Sequence, residues 1–371
     1  MPITLRALNR ALLARQGLLE RMRLPLPAVA ERIGALQMQY WPALGPALWS
    51  RTHEVAPEAP WHAHSTGDLV TGTLLRGTIH TVTPADYPAY AAVSAASKVG
   101  SFRAGPEPEI GELLDLMREM GATPRPVADL VAAIDAWVVA HPGVLSDREI
   151  ELQRLYRWTS VMMRAGFVRV PAEGAWSKRT PMLFALGPAK EFPPLAEALA
   201  LVVRRHLGAF GPAAAEDVAS WIAWNITPVR AALEAMPDLV TFTDDDGRTL
   251  YDLPGAPRPG EDAEAPVRLL PWFDSTLLAY APGRRARILP DPHKDHVYVK
   301  ANGQLKPSFL VDGRVAGLWT MTTAKGGAVT LVLTPLEQVP ILAKAELVAE
   351  AKRLLEFTHP AAASHEVVFR G

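Results

Sequence analysis

Leu5, Leu8, Leu12 and Leu19 fall on one face of a helix read over residues 4–23. Arg6, Arg10 and Arg21 lie off that face, Thr4 can cap the start, and Pro25 and Pro27 close the segment. Val29, Ile33 and Leu36 repeat the helical spacing over 27–36. This second helix is expected to deliver Gln37 and Gln39 at its C-terminal end. Tyr40, Trp41 and Pro42 follow at once, and the residue before a proline is biased out of the helical region, so the chain must turn there. Leu48 and Trp49 read as a brief strand. A third helix over 65–75, entered through Ser65 or Thr66 with Asp68 in its first turn, leads to a strand over 76–82 and a helix over 86–97.

The order of helices followed by strand then recurs. Residues 109–120 and 127–140 read as helices punctuated by Gly121 and Pro126, Asp147 caps a long helix to 164, and strands 167–171 and 181–186 form a wing around Gly174. A third pass has helices over 195–207, 215–221 and 229–236, with Asn225 as cap and Pro228 opening the last. Strands 239–242 and 249–253 pair about Asp245-Asp246-Gly247. The expected fold is helix-rich α+β: three tandem winged helix-turn-helix units in a concave arrangement, with a C-terminal β-hairpin region. The units span 1–100, which carries the two glutamines, 101–190 and 191–255. After a linker rich in proline, glycine and acids, residues 267–371 hold strands, an Asp312-Gly313 hairpin turn and a closing helix over 336–357.

A chain of 371 residues has room for two or three such modules. No apolar run approaches the ~20 residues needed to cross a bilayer, and the N-terminus lacks a signal peptide's apolar core. The expectation is a monomer in the cytoplasm, at the nucleoid, with no membrane partner. With no cysteine the chain has no disulfide or thiolate metal site. The net charge of -1 is unevenly spread: +3 over 1–100, -2 over 101–200, -6 over 201–280 and +4 over 281–371. Basic ends suit a nucleic-acid binder if they meet around a duplex, although ordinary enzymes scatter as widely. Arg284, Arg285, Arg287, Lys294, Lys300, Lys306 and Arg314 concentrate the excess on expected strands and hairpins. They fit a hairpin entering a DNA groove and equally a solvated edge guarded by charge.

The commonest catalytic signatures are missing: there is no Gly-x-Ser-x-Gly elbow, no phosphate-binding Gly-x-x-x-x-Gly-Lys, and no Gly-x-Gly-x-x-Gly. His53, His62 and His64 lie in a proline-rich run without helical His-x-x-x-His spacing, so a solvated loop outweighs a metal site, and neither metal nor cofactor is expected. Arg76, Thr78 and His80 alternate along the expected strand. If Ile79 points into the core, the three line either a cleft floor or an exposed face. Gln37-Met38-Gln39 by spacing alone matches countless helices.

Taken together, Leu8-Asn9-Arg10 through Ala14-Arg15-Gln16, Leu36-Gln37-Met38-Gln39, Arg76-Gly77-Thr78-Ile79-His80 and Leu270-Pro271-Trp272-Phe273-Asp274 with Leu277-Leu278 resemble the bacterial winged-helix DNA glycosylases of the AlkZ and YcaQ type. The resemblance runs through most of the chain. That family's signature is Gln, an apolar residue, then Gln or Asp, and Gln37-Met38-Gln39 fits the first form. The resemblance implies excision of bulky N7-alkylguanines from double-stranded DNA, unhooking of azinomycin-type interstrand crosslinks, and hence self-resistance to an alkylating antibiotic.

N7-alkylguanine is cationic and already a good leaving group, so the enzyme has mainly to place a water against an oxocarbenium-like sugar. A pair of amide oxygens can do that. Gln37 and Gln39 are therefore the expected catalytic pair, with Tyr40, Trp41, Arg76, Thr78 and His80 as cleft-lining candidates. A crosslinked base cannot be flipped fully into a tight pocket, so an open site is expected. Two rivals remain at this point: a winged-helix transcription regulator, and a non-catalytic protein that sequesters alkylated DNA.

Overall fold

A computed structural model describes residues 2–102, 108–177, 180–189, 191–300 and 303–370. The chain divides into two compact units, the first formed by Met1–Pro60, Arg204–Val218 and Met236–Gly371, the second by Trp61–Val203 and Ala219–Ala235.

The first unit is built on a sheet ordered Ser364–Phe369, Ala328–Pro335, Arg314–Thr323, Ser308–Val311, Arg268–Leu270. Every pairing is antiparallel except that of the first two strands. A parallel return needs a crossover, and the helix Ile341–Thr358 supplies it, burying Leu347, Ala351, Leu354 and Leu355 in one core with Phe309, Trp319, Leu331 and Leu333. This helix starts five residues later than its periodicity suggests because Pro340 occupies the N-cap.

The helix Leu5–Arg15 is capped as expected, Thr4 Oγ1 accepting from the Ala7 amide at 3.1 Å. It stops well short of residue 23, where Gly17 turns the chain at φ +67°. Its polar side chains are also not where the leucine stripe puts them. Asn9, Arg10, Arg15 and Gln16 are all buried. Asn9 Nδ2 donates to Arg287 O at 2.7 Å and Gly313 O at 2.8 Å. Arg10 pairs with Asp312, and Arg15 grips Asp252 through two bonds of 2.7 and 2.8 Å. Such partners offset the cost of burying a guanidinium. The Asp312-Gly313 turn forms as read, and a Cβ on Gly313 would stand 2.5 Å from Leu13 Cδ1, so only glycine fits. The hairpin Val240–Thr243 with Thr249–Asp252 also forms, its turn held by Asp244, which accepts from the Asp246 and Arg248 amides. Leu48 and Trp49, however, end a short helix, Leu44–Trp49, with Pro46 harmless in its first turn.

The second unit supplies the antiparallel strands Ile79–Val82, Val70–Thr73, Phe167–Pro171 and Met182–Leu186, in that order. The last two are the pair expected over 167–186. Helices Gly111–Gly121 and Val127–Ala140 cover them through Leu113, Met117, Leu130 and Ile134. The helix expected over 65–75 is replaced by the helix Ala59–Ser65 and then a strand, with Gly67 at φ +80° between them. The long helix over 147–164 is two, Asp147–Leu155 and Thr159–Ala165, separated where Arg157 and Trp158 adopt left-handed backbone. Among the described residues no helix is long and apolar enough to cross a membrane.

Candidate active site

Gly34 decides how the glutamines are presented. The helix Leu26–Ile33 ends there at φ +80°, and a Cβ on Gly34 would lie 3.2 Å from the Phe210 ring. The chain leaves extended, so Leu36–Gln37 is a strand and the pair sits beyond the helix instead of on its last turn. In extended backbone alternate side chains share a side. Leu36 and Met38 are buried on the apolar side, while Gln37 is 6% exposed and Gln39, at the following bend, is open to solvent.

Three long-range polar contacts fix this strand. The Gln37 amide donates to Ser275 Oγ at 3.3 Å, and Ser275 Oγ donates to Ala35 O at 2.9 Å, clipping the backbone on both sides of Leu36. Gln16 Nε2 holds Ile33 O at 3.0 Å and Ala209 O at 2.9 Å. Arg51 joins the two clips, its Nε donating to Gln16 Oε1 at 3.3 Å and its Nη2 to both Asp274 oxygens at 2.9 Å. Asp274 Oδ1 also accepts from the Thr276 amide and hydroxyl, at 3.1 and 2.7 Å. With Oδ1 accepting three bonds and Oδ2 held by Arg51, this buried carboxylate orients the loop and is a poor candidate for a base. Hydrophobic patterning gives no signal for Arg51, Gln16 or Ser275 at this site; only the family resemblance drew in Gln16 and Asp274.

The cleft-lining candidates divide between the units. Tyr40, 46% exposed, faces Trp272 at a ring separation of 5.8 Å, and Trp41 is buried at the head of the turn Trp41–Ala43. In the second unit, Arg76 sits in the turn Leu75–Gly77 at φ +57° and donates to Trp221 O at 2.6 Å. Thr78 is partly exposed and donates to Leu75 O. His80 is fully buried while Ile79 is partly exposed, so the strand alternates in the opposite sense to the expected one. Its Nδ1–H donates to Thr78 O at 3.0 Å, leaving Nε2 to accept from Arg76 at 3.4 Å.

Burial, aided by the Arg76 charge and opposed by the Thr78 bond, lowers the His80 imidazole from 6.5 to about 3, and burial lowers His64 to about 3. Between those limits the unfolded chain binds protons that the folded chain refuses. Stability is therefore full above about pH 6.5 and falls as pH drops, by up to ~1.4 kcal/mol per pH unit for each histidine. Melting temperatures from pH 7.5 to 4.5 should show this fall, and His64→Gln/His80→Gln a shallower one. An identical slope in the variant would assign the acid sensitivity to other groups.

The basic residues have varied settings. Arg287 is 1% exposed, its guanidinium 3.9 Å from the Tyr280 ring centroid and donating to Pro212 O, which commits it to the interior. Arg285 is partly buried against Tyr280 O, and burial lowers its pKa. At the surface Arg284 pairs with Asp246, Lys294 with Asp291 and Lys300 with Asp295. Lys306 is partly buried and Arg314 exposed.

The family model for DNA glycosylase AlkZ-like proteins matches residues 30–357, which take in the glutamine strand, Arg51 and the Asp274 loop. The chain belongs to the AlkZ-like DNA glycosylase family. It is 28% identical over 377 positions to the interstrand DNA cross-link repair glycosylase of Streptomyces sahachiroi, covering 91% of this chain and 93% of the relative. The solved structure of the DNA glycosylase AlkZ from the same organism superposes with a TM-score of 0.74 over all of both chains, at 21% identity. The fold is thus the helix-rich α+β fold of that glycosylase. For an AlkZ-like enzyme the target is DNA and the reaction is base excision.

Proposed function

We propose that this glycosylase excises N7-alkylguanines and unhooks interstrand crosslinks of the azinomycin type, protecting its host from a DNA alkylator. The observation that carries the reading is the Gln37-Met38-Gln39 segment, clipped by Ser275 at the boundary between interior and solvent. The name of the Streptomyces sahachiroi relative supports the crosslink part. Gln37, held and shielded, accepts a hydrogen bond from the attacking water, and Gln39 holds it from the open side. As the cationic base leaves, its ring becomes neutral, so no acid need protonate it. The exposed Tyr40 and its neighbour Trp272 offer an aromatic wall for the alkylated base.

Phosphate contacts in this reading come from Arg284, Lys294, Lys300, Lys306 and Arg314, with Arg285 behind them. The three surface pairs can exchange aspartate for phosphate at little cost, since exposed ion pairs contribute ~0–1 kcal/mol. Arg287 is left to the fold.

Incubation with duplex carrying N7-methylguanine, followed by alkaline cleavage at abasic sites, should give breaks at the lesion. Duplex carrying uracil or hypoxanthine, whose glycosidic bonds are not activated by charge, should stay intact at the same enzyme concentration. Lesion-selective binding without breaks would instead identify a sequestering protein. Equal cleavage of neutral bases would overturn the water-positioning mechanism.

A further inference from the structure

In the second unit Arg169 stands mid-strand in Phe167–Pro171, in register with Thr71 on one side and Phe184 on the other. Its Nη2 donates to Thr73 Oγ1 at 3.1 Å and its guanidinium lies 5.1 Å from the Phe184 ring centroid. The residue as a whole is partly buried, but Nη1 is sealed from solvent and has no hydrogen-bond partner among the described residues. Burial lowers its pKa to about 10, which leaves it charged at neutral pH. A guanidinium removed from water without a carboxylate is costly. One hydroxyl and one ring face offset only part of that cost.

Space adjoins this charge. A cavity of about 260 Å3 is walled by Val127, Met162, Met163 and Phe167, and reached by Tyr156 and Arg157 from the corner between two helices. That corner is strained: Arg157 and Trp158 have φ of +51° and +55°, and such residues cost roughly 1–3 kcal/mol each. The anchor is Trp158, fully buried with Nε1 donating to Asp135 at 3.2 Å. The corner thereby holds Tyr156, 62% exposed, and the exposed Arg157 at the cavity. A second cavity of about 600 Å3 shares Tyr156 and Thr159 and adds Arg76 and Arg148. Among the described residues, four arginines thus line adjoining spaces that contain one carboxylate, Glu149, to which Gln153 donates at 2.7 Å.

We propose that the Arg169 cavity is a phosphate-binding subsite, in which the exposed Arg157 bonds one phosphate group, the Arg169 guanidinium in the wall supplies the facing positive charge, and the methionine and phenylalanine walls take the carbon skeleton attached to the phosphate. The planar guanidinium fork of an arginine matches two oxygens of a phosphate. The phosphate belongs either to the DNA backbone or to a free nucleotide, and the site does not depend on the role of the glutamines.

The test uses the full-length protein, Arg169→Met and Arg157→Gln. Inorganic phosphate, compared with chloride at matched ionic strength, should raise the melting temperature of the parent. Arg169→Met should melt no lower than the parent in chloride, having lost an unpaired charge, and should lose the phosphate response. Arg157→Gln, altered at an exposed position, should weaken that response. If the phosphate is a DNA phosphodiester, the slope of log affinity against log salt for undamaged duplex should shrink by about 0.9 in Arg169→Met. A lost phosphate response with an unchanged slope assigns the subsite to a free nucleotide. A phosphate response retained by both variants overturns the proposal, as does Arg169→Met melting lower in chloride with that response intact. The Gln37→Ala/Gln39→Ala variant should respond to phosphate as the parent does, which separates this site from the catalytic reading.

Discussion

Excision of N7-methylguanine by Gln37→Ala/Gln39→Ala is expected to fall by roughly 10²–10³-fold, the range that loss of a positioned hydrogen-bonding group costs. The two single variants should not be equal. Gln37 is buried and its backbone is tied to Ser275, so its amide oxygen loses little freedom when it meets the water and acts in a lower dielectric. Gln39 is exposed, so its bond to the water is made in a higher dielectric. Gln37→Ala should therefore account for most of the fall, and Gln39→Ala for a smaller share. Affinity for undamaged duplex should stay within about threefold, because neither amide carries charge for the phosphates. Single-turnover excision from a methylated duplex, measured beside equilibrium binding, checks both statements. A double variant that folds, binds and still excises within tenfold of the parent would place the water elsewhere.

Elements fixed by neighbouring residues were legible in the sequence. The Thr4 cap, the Asp312-Gly313 turn and the hairpins around Gly174 and Gly247 each depend on a few adjacent positions, and each formed. Elements fixed from a distance were not. Gly34 reads as an ordinary helical position until Phe210 is packed against it. The leucine stripe of the first helix says nothing about Arg10 and Arg15, whose partners lie 302 and 237 residues away. A periodicity argument sends any arginine to the surface unless its carboxylate can be foreseen. The break at Arg157 and Trp158 has no glycine or proline to announce it, because the buried Trp158 imposes it.

The site follows the same division. Gln37 and Gln39 were legible as a motif, but their setting was not, since Ser275 is 238 residues and Asp274 more than 200 residues beyond the segments they organise. The fragments quoted for the family resemblance now have physical roles. Gln16 fastens the end of the helix before the glutamine strand, Asn9 fastens the turn at Gly313, and Asp274 shapes the loop that carries Ser275.

That dependence makes Asp274→Ala the substitution with the largest expected effect on stability. Arg51 and Asp274 are each 1% exposed, and removing the carboxylate leaves a buried guanidinium whose remaining acceptors, among the described residues, are Gln16, Ser50 and the Ala47 carbonyl. Breaking one side of a buried pair costs about 3–5 kcal/mol, and Thr276 loses two bonds besides. Arg51→Met/Asp274→Leu removes both charges, so its melting temperature should recover a large part of that loss. Its excision activity should not recover in step, because Gln16 and Thr276 still lack the partners that hold the two clips on the glutamine strand. Stability regained with activity still low would locate the role of the pair in positioning Gln37. Activity that tracked stability across the parent, single and double variants would reduce the pair to a folding element.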